Sequence, residues 1–125
     1  MEGAEKHKVL LVDDDGMIRS YLNLILRNEG FVIDGEVGDI AKAKQHLKRT
    51  PATVVFLDIN LPDEDGLSAL KVMREAYPDI CFIMISGEAT APNVKTAIEQ
   101  GAKGFVTKPF TVESVVQAVS RALNL

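Results

Sequence analysis

Positive charge is what this sequence is short of: 14 Lys and Arg stand against 18 Asp and Glu, a net charge of −4 and a pI near 5.1. That balance gives no basic footprint for nucleic acid and no pull toward an anionic bilayer, so neither is expected as a partner. Long apolar runs are also missing. The longest covers residues 80–85, far short of the roughly 20 apolar residues of a membrane-spanning helix. The first eight residues, Met-Glu-Gly-Ala-Glu-Lys-His-Lys, lack the apolar stretch of a secretory leader, and a cytoplasmic location is expected. Cys81 is the sole cysteine. It cannot close an intrachain disulfide, and its place in an apolar run reads as a small buried hydrophobe. His7 and His46 have no partners at metal-ligand spacing and receive no role. No fixed-period repeat, low-complexity segment or linker interrupts the chain.

The composition is that of a globular protein, 46% hydrophobic and 26% charged. At 125 residues one domain is expected over 1–125, with 1–7 as a flexible tail. Such a chain buries roughly two-thirds of its unfolded surface and needs no disulfide or metal to hold a core. Short β-branched runs alternate with helical patterns. Val9-Leu10-Leu11-Val12 reads as a buried strand, followed by a helix with Met17, Ile18, Tyr21, Leu22, Ile25 and Leu26 on one face, stopped at Gly30. Phe31-Val32-Ile33 is a weaker strand, and Asp39 caps a helix carrying Ile40, Ala43 and Leu47 that ends before Pro51. Residues 53–57 form an apolar third strand covered on both faces. Next come a helix through Leu67, Leu70, Met73 and Ala76, a strand at 80–85, a short helix with Val94, Ala97 and Ile98, and a brief strand at Phe105-Val106. A last helix carries Val112, Val115, Val116, Val119 and Leu123. Five βα repeats predict a three-layer α/β/α sandwich, a doubly wound parallel sheet of flavodoxin-like order 2-1-3-4-5.

Ligands of such sheets bind at the carboxyl ends of the strands, beside the point where strand order reverses. Those ends carry Asp13-Asp14-Asp15, Asp58-Ile59-Asn60, Ser86-Gly87 and Thr107-Lys108-Pro109. Singly, each has a plain explanation. Asp14 or Asp15 can cap the first helix, and Asp58 can be a loop acid before the turn at Pro62-Asp63-Glu64-Asp65-Gly66. Ser86 can cap the fourth helix, and Lys108 can be a solvated surface charge. Together they are harder to explain away, because carboxylates crowded at one sheet edge repel unless a cation neutralises them. An all-oxygen donor set suits Mg²⁺ or Mn²⁺. With Lys108 and Ser86 beside it, the set is the equipment of phosphoryl transfer, in which a carboxylate can itself be the nucleophile.

With Gly66 and Gly104-Phe105-Val106-Thr107-Lys108-Pro109-Phe110 added to these segments, the chain resembles the receiver domains of bacterial response regulators over essentially its whole length. The resemblance implies that Asp58 accepts a phosphoryl group from the phosphohistidine of a sensor histidine kinase or phosphotransfer protein. It implies Mg²⁺ on the carboxylates of Asp14 and Asp58 and the backbone carbonyl of Asn60, with Asp13 acting mostly through water, and phosphoryl oxygens held by Ser86, Lys108 and the Gly87 N–H. A cis Lys108-Pro109 peptide is implied too. Ser86 and Phe105 fall at the switch positions, biasing the surface of the fourth helix, fifth strand and fifth helix toward a downstream protein partner. Phe105 lacks the hydroxyl of the commoner tyrosine, so no hydroxyl readout is available to it. Asn60 and Glu88 flank the path of attacking water and tune the lifetime of the phosphoryl group. This pair, with Lys108-Pro109-Phe110-Thr111, resembles the chemotaxis branch of the family.

Met17 and Arg19 are assigned to a partner-facing helix surface. Output is expected through protein contact, from a monomer or weak dimer. The resemblance makes the domain a signalling switch rather than an enzyme. A small phosphatase of the haloacid-dehalogenase-like class would need a second acid two residues after its nucleophile, where Asn60 stands. A flavin module would need a glycine- and hydroxyl-rich loop where three carboxylates stand. A degenerate receiver that only binds partners would lack some of the site residues, and all are present.

Overall fold

The strand runs and helical stripes close into a five-stranded parallel sheet of order β2-β1-β3-β4-β5, as expected. The computed structural model describes residues 1–125. Its elements are β1 (Lys8–Val12), α1 (Gly16–Asn28), β2 (Val32–Val37), α2 (Ile40–Arg49), β3 (Val54–Asp58), α3 (Gly66–Ala76), β4 (Cys81–Ser86), α4 (Ala91–Glu99), β5 (Gly104–Thr107) and α5 (Val112–Leu123).

The apolar runs in β1, β3 and β4 follow from burial on both faces. One face sends Leu11, Phe56 and Ile83 against Leu22 and Leu26 of α1 and Val115 and Val119 of α5. The other sends Leu10, Leu57 and Met84 against Ile40 and Leu47 of α2, Leu70 and Met73 of α3 and Ala97 of α4. Every helix start is capped by a short polar side chain that accepts from an otherwise unpaired amide. Asp15 accepts from Met17 and Ile18, Asp39 from Lys42 and Asp65 from Leu67. Thr90 accepts from Asn93, and Thr111 shares a capping box with Ser114. Asp14 and Ser86 therefore cap nothing and remain at the sheet edge.

Two segments depart from the expectation. The first seven residues, expected as a flexible tail, contain a 3₁₀ turn at Ala4–Lys6. Ala4 is fully buried, and the terminal ammonium donates to the carbonyl of Glu29 at 2.8 Å. Ala4 docks against Gly30, where a side chain is absent and φ is +95°. The second strand runs four residues further, through Asp34-Gly35-Glu36 to Val37, than its hydrophobicity indicates. As an edge strand it pairs with β1 alone, and the register slips between Val9 and Leu10 so that Asp34 is passed over.

Candidate functional site

Asp13, Asp58 and Ser86 are the only buried polar or charged residues, and all three lie at or just past the carboxyl ends of neighbouring strands. Asp13 follows β1, with its amide held by the Val37 carbonyl at 3.1 Å. Asp58 ends β3 opposite Ile85, and Ser86 ends β4 opposite Thr107. The chain then leaves β5 through Lys108, whose amide donates to the Ser86 carbonyl at 2.8 Å, and through a cis Lys108-Pro109 peptide.

That backbone delivers the Lys108 ammonium between two carboxylates, 2.7 Å from Asp13 Oδ2 and 2.9 Å from Asp58 Oδ2. The Asp58 contact is a well-formed hydrogen bond. The Asp13 contact is an ion pair off the hydrogen-bonding angle, and this buried oxygen has no other donor. Each carboxylate keeps its second oxygen on the backbone two residues on: Asp15 N–H donates to Asp13 Oδ1 at 2.9 Å and Asn60 N–H to Asp58 Oδ1 at 3.1 Å. Burial raises the Asp13 carboxyl above its ordinary pKa, against the pull of Lys108 and the Asp15 amide. Burial alone would lower Lys108, but the two carboxylates outweigh it and hold the ammonium charged, above its ordinary value.

Asp14 is exposed, yet one oxygen from each of Asp13, Asp14 and Asp58 lies within 4.8 Å of the others. One lysine cannot neutralise three carboxylates, and the buried Asp13 oxygen has only its ion pair with Lys108. Oxygen-only donors facing such an excess of negative charge fit a hard divalent cation of the Mg²⁺ class.

Ser86 Oγ accepts from the Glu88 amide at 2.9 Å, and the Asn93 side chain donates to the Glu88 carbonyl at 2.8 Å, fixing the β4–α4 loop. Glu88 and Gly87 are exposed, and a methyl added at Gly87 would meet nothing within 4 Å. Phe105 is half-buried, pairs with Met84 in the sheet and packs on the core under α2, α3 and α4.

Two features escape the sequence reading. Arg19, assigned to a partner-facing surface, turns inward instead: it donates to the Asp13 carbonyl and pairs with Glu36 at 3.3 Å. Glu36 lies in the polar stretch of β2, so nothing in α1 marks Arg19 out. Met17, on the same helix, is 83% exposed. Asp63, read as a turn residue, clamps the start of α2, accepting from Ile40 and Ala41 at 3.1 Å each. Those two bonds, led by the one from Ile40, hold its carboxyl below the ordinary range. Gly66 donates to the Ile59 carbonyl at 2.7 Å, bringing the start of α3 against the loop after Asp58.

Residues 9–120 match the response regulator receiver domain. The chain belongs to that family. It is accordingly a phosphorylation-activated signalling switch of the two-component type, and such domains use Mg²⁺ and act with histidine kinases and downstream targets. It is 34% identical over 118 residues to the chemotaxis protein CheY of Bacillus subtilis strain 168, covering 94% of this chain and 98% of that protein. It is 32% identical over 122 residues to the DNA-binding transcriptional regulator NtrC of Proteus hauseri, 96% of this chain but only 25% of that one. Among solved structures, a CheX–CheY–BeF3–Mg²⁺ complex from Borrelia burgdorferi aligns with a TM-score of 0.83 at 32% identity, over 94% of this chain and 89% of that chain. No helix of this receiver is long and apolar enough to cross a membrane.

Proposed function

We propose that Asp58 is the phosphoacceptor of this receiver. The observation that carries the reading is its carboxylate, buried to 3% exposure, with one oxygen on the Lys108 ammonium and the other on the Asn60 amide, beside Asp13 and Asp14. A carboxylate oxygen of Asp58 attacks the phosphorus of a phosphohistidine on a sensor histidine kinase or phosphotransfer protein. The new O–P bond forms as the P–N bond breaks, and the electron pair returns to the imidazole. Lys108 follows the charge from the carboxylate to the phosphoryl oxygens, helped by the Ser86 hydroxyl and the Gly87 N–H.

Asp13, Asp14, Asp58 and the backbone carbonyl of Asn60 are the groups that would hold Mg²⁺, for which Mn²⁺ can substitute. Once bound, the ion neutralises charge shared by the carboxylates and the phosphoryl group. Asn60 and Glu88 set the phosphoryl lifetime by controlling water at the open side of the site. When Ser86 moves to the phosphoryl group it frees space for the Phe105 ring, and the α4-β5-α5 face shifts toward the form that binds a downstream protein. Residues 1–125 act as one receiver unit in the cytoplasm, monomeric or weakly dimeric. Its chemistry is limited to gaining and losing its own phosphoryl group. The CheX–CheY–BeF3–Mg²⁺ complex of a relative supports both the ion and the protein partner.

Intact-mass spectrometry after incubation with acetyl phosphate tests the reading. A phosphoryl adduct is expected with Mg²⁺, and none with excess chelator or in the Asp58→Asn protein. An adduct of equal yield in all three samples would overturn it.

A further inference from the structure

The ten residues of α2, IAKAKQHLKR, hold Lys42, Lys44, Lys48 and Arg49 and no acid. Four of the 14 basic side chains of an acidic chain thus share one helix. Lys42 and Lys44 lie 3.9 Å from Asp39 and 3.7 Å from Glu64, whereas Lys48 and Arg49 pair with no carboxylate. The negative end of the helix dipole accounts for cations in the last turn. It does not account for what lies beside them. Lys44 and Lys48 rim a hollow of about 190 Å³ between α2 and α3, lined by Val72, Met73, Ala76 and Tyr77. Val72 is 52% exposed there although it is an aliphatic side chain on the outside of a folded domain. Ala76 and Tyr77 also line a second hollow of about 430 Å³ that reaches Pro51 and Pro78 at the amino end of the sheet.

Neither hollow touches the carboxyl edge where the acidic cluster sits. The first is smaller than the roughly 300 Å³ at which small-molecule pockets begin, and it suits one large apolar side chain. Two hollows that meet at Ala76 and Tyr77, with the unpaired Lys48 ammonium on the rim of the first, the unpaired Arg49 next to it in the last turn of α2, and Asp79 on the far side of the second, match a segment with apolar anchors and carboxylates at its α2 end. We propose that the α2–α3 face is a docking site for an acidic, hydrophobic peptide segment of a partner protein, distinct from the α4-β5-α5 face. The site stands on its own geometry and does not depend on phosphoryl chemistry at Asp58.

The test is a ¹H–¹⁵N NMR titration of the whole chain with a synthetic peptide of Asp and Glu residues around a Leu-Phe pair, alongside a peptide with Lys in place of every acid. The acidic peptide is expected to shift amides in 44–49 and 72–79 and to weaken as salt rises. The basic peptide should shift none of them. Lys48→Glu and Val72→Asp, both at exposed positions, should each weaken binding about tenfold while leaving the rest of the spectrum in place. Several outcomes would overturn the proposal: no shift at this face, equal binding of both peptides, or shifts confined to residues 89–99 around α4. Vesicles of anionic lipid that shift the same amides, where the acidic peptide does not, would overturn it in favour of a membrane surface.

Discussion

Replacing Gly66 with alanine adds one methyl group at the tightest point beside the proposed acceptor. The new Cβ would stand closest to the Asp58 carbonyl oxygen, 2.7 Å from Ile59 Cα and 2.9 Å from the Ile59 oxygen. Ordinary contact begins near 3.5 Å, so clearing Ile59 Cα alone takes about 0.8 Å of movement by the start of α3 or the end of β3, and clearing the nearer Asp58 oxygen takes more. All three neighbours are backbone, and no side chain can swing away. Overpacking of this kind costs about 3 kcal/mol at the upper end of the usual range. At this first helical position alanine recovers only part of the roughly 1 kcal/mol that separates it from glycine in a helix interior, leaving a net loss of about 2 kcal/mol or more. For a domain of this size that lowers the melting midpoint by about 8 °C. The control is Gly87→Ala, where the methyl group meets nothing within 4 Å and stability should change by less than about 0.5 kcal/mol. Calorimetry or circular dichroism melts of both variants decide the matter. A Gly66→Ala protein as stable as the parent would refute the reasoning that this glycine is there for contact distance.

Lys108→Met leaves the buried Asp13 and Asp58 carboxylates with no fixed cation, so its melting midpoint should fall at neutral pH and rise more steeply with added Mg²⁺ than the parent's. An identical Mg²⁺ response would contradict that. Asp63 has a carboxyl below its ordinary value of 3.8 because the folded state donates amides to the charged form. Its contribution is therefore complete above about pH 4 and lost as pH falls through the depressed value. In an NMR titration the amides of Ile40 and Ala41 should report a midpoint below 3.8, and a midpoint at or above it would disprove the clamp. Cys81, which burial pushes up to about 11, should resist alkylation in the folded protein at neutral pH and react fully in denaturant. Fast native labelling would show the thiol is reachable.

Much of the site is legible in the sequence because each of its residues ends a strand whose identity is plain. Asp13, Asp58 and Ser86 come directly at or after runs of aliphatic residues buried on both faces, and the strand order then brings those ends together. What is illegible depends on partners that local pattern does not announce. His46 carries no metal-ligand spacing, yet its Nε2 lies 2.7 Å from Asp34 Oδ2. That meeting requires Asp34 to be the residue passed over at the slip in β2, and an edge strand reading Asp-Gly-Glu shows no apolar alternation. Arg19 is hidden for the same reason, since Glu36 belongs to that stretch. The order of the first residues comes from Ala4 filling the space over Gly30, a contact between small residues with no periodic signal.

Reductive trapping of the acyl phosphate locates the phosphorylated aspartate. The chain is labelled with acetyl phosphate and Mg²⁺, treated with borohydride to convert the phosphorylated carboxyl to an alcohol, and mapped by peptide mass spectrometry. Reduction at position 58 alone, absent when Mg²⁺ is withheld, is the result expected. Reduction at Asp13, Asp14 or Asp15, or at no aspartate under conditions that reduce a known acyl phosphate, would contradict Asp58 as the acceptor.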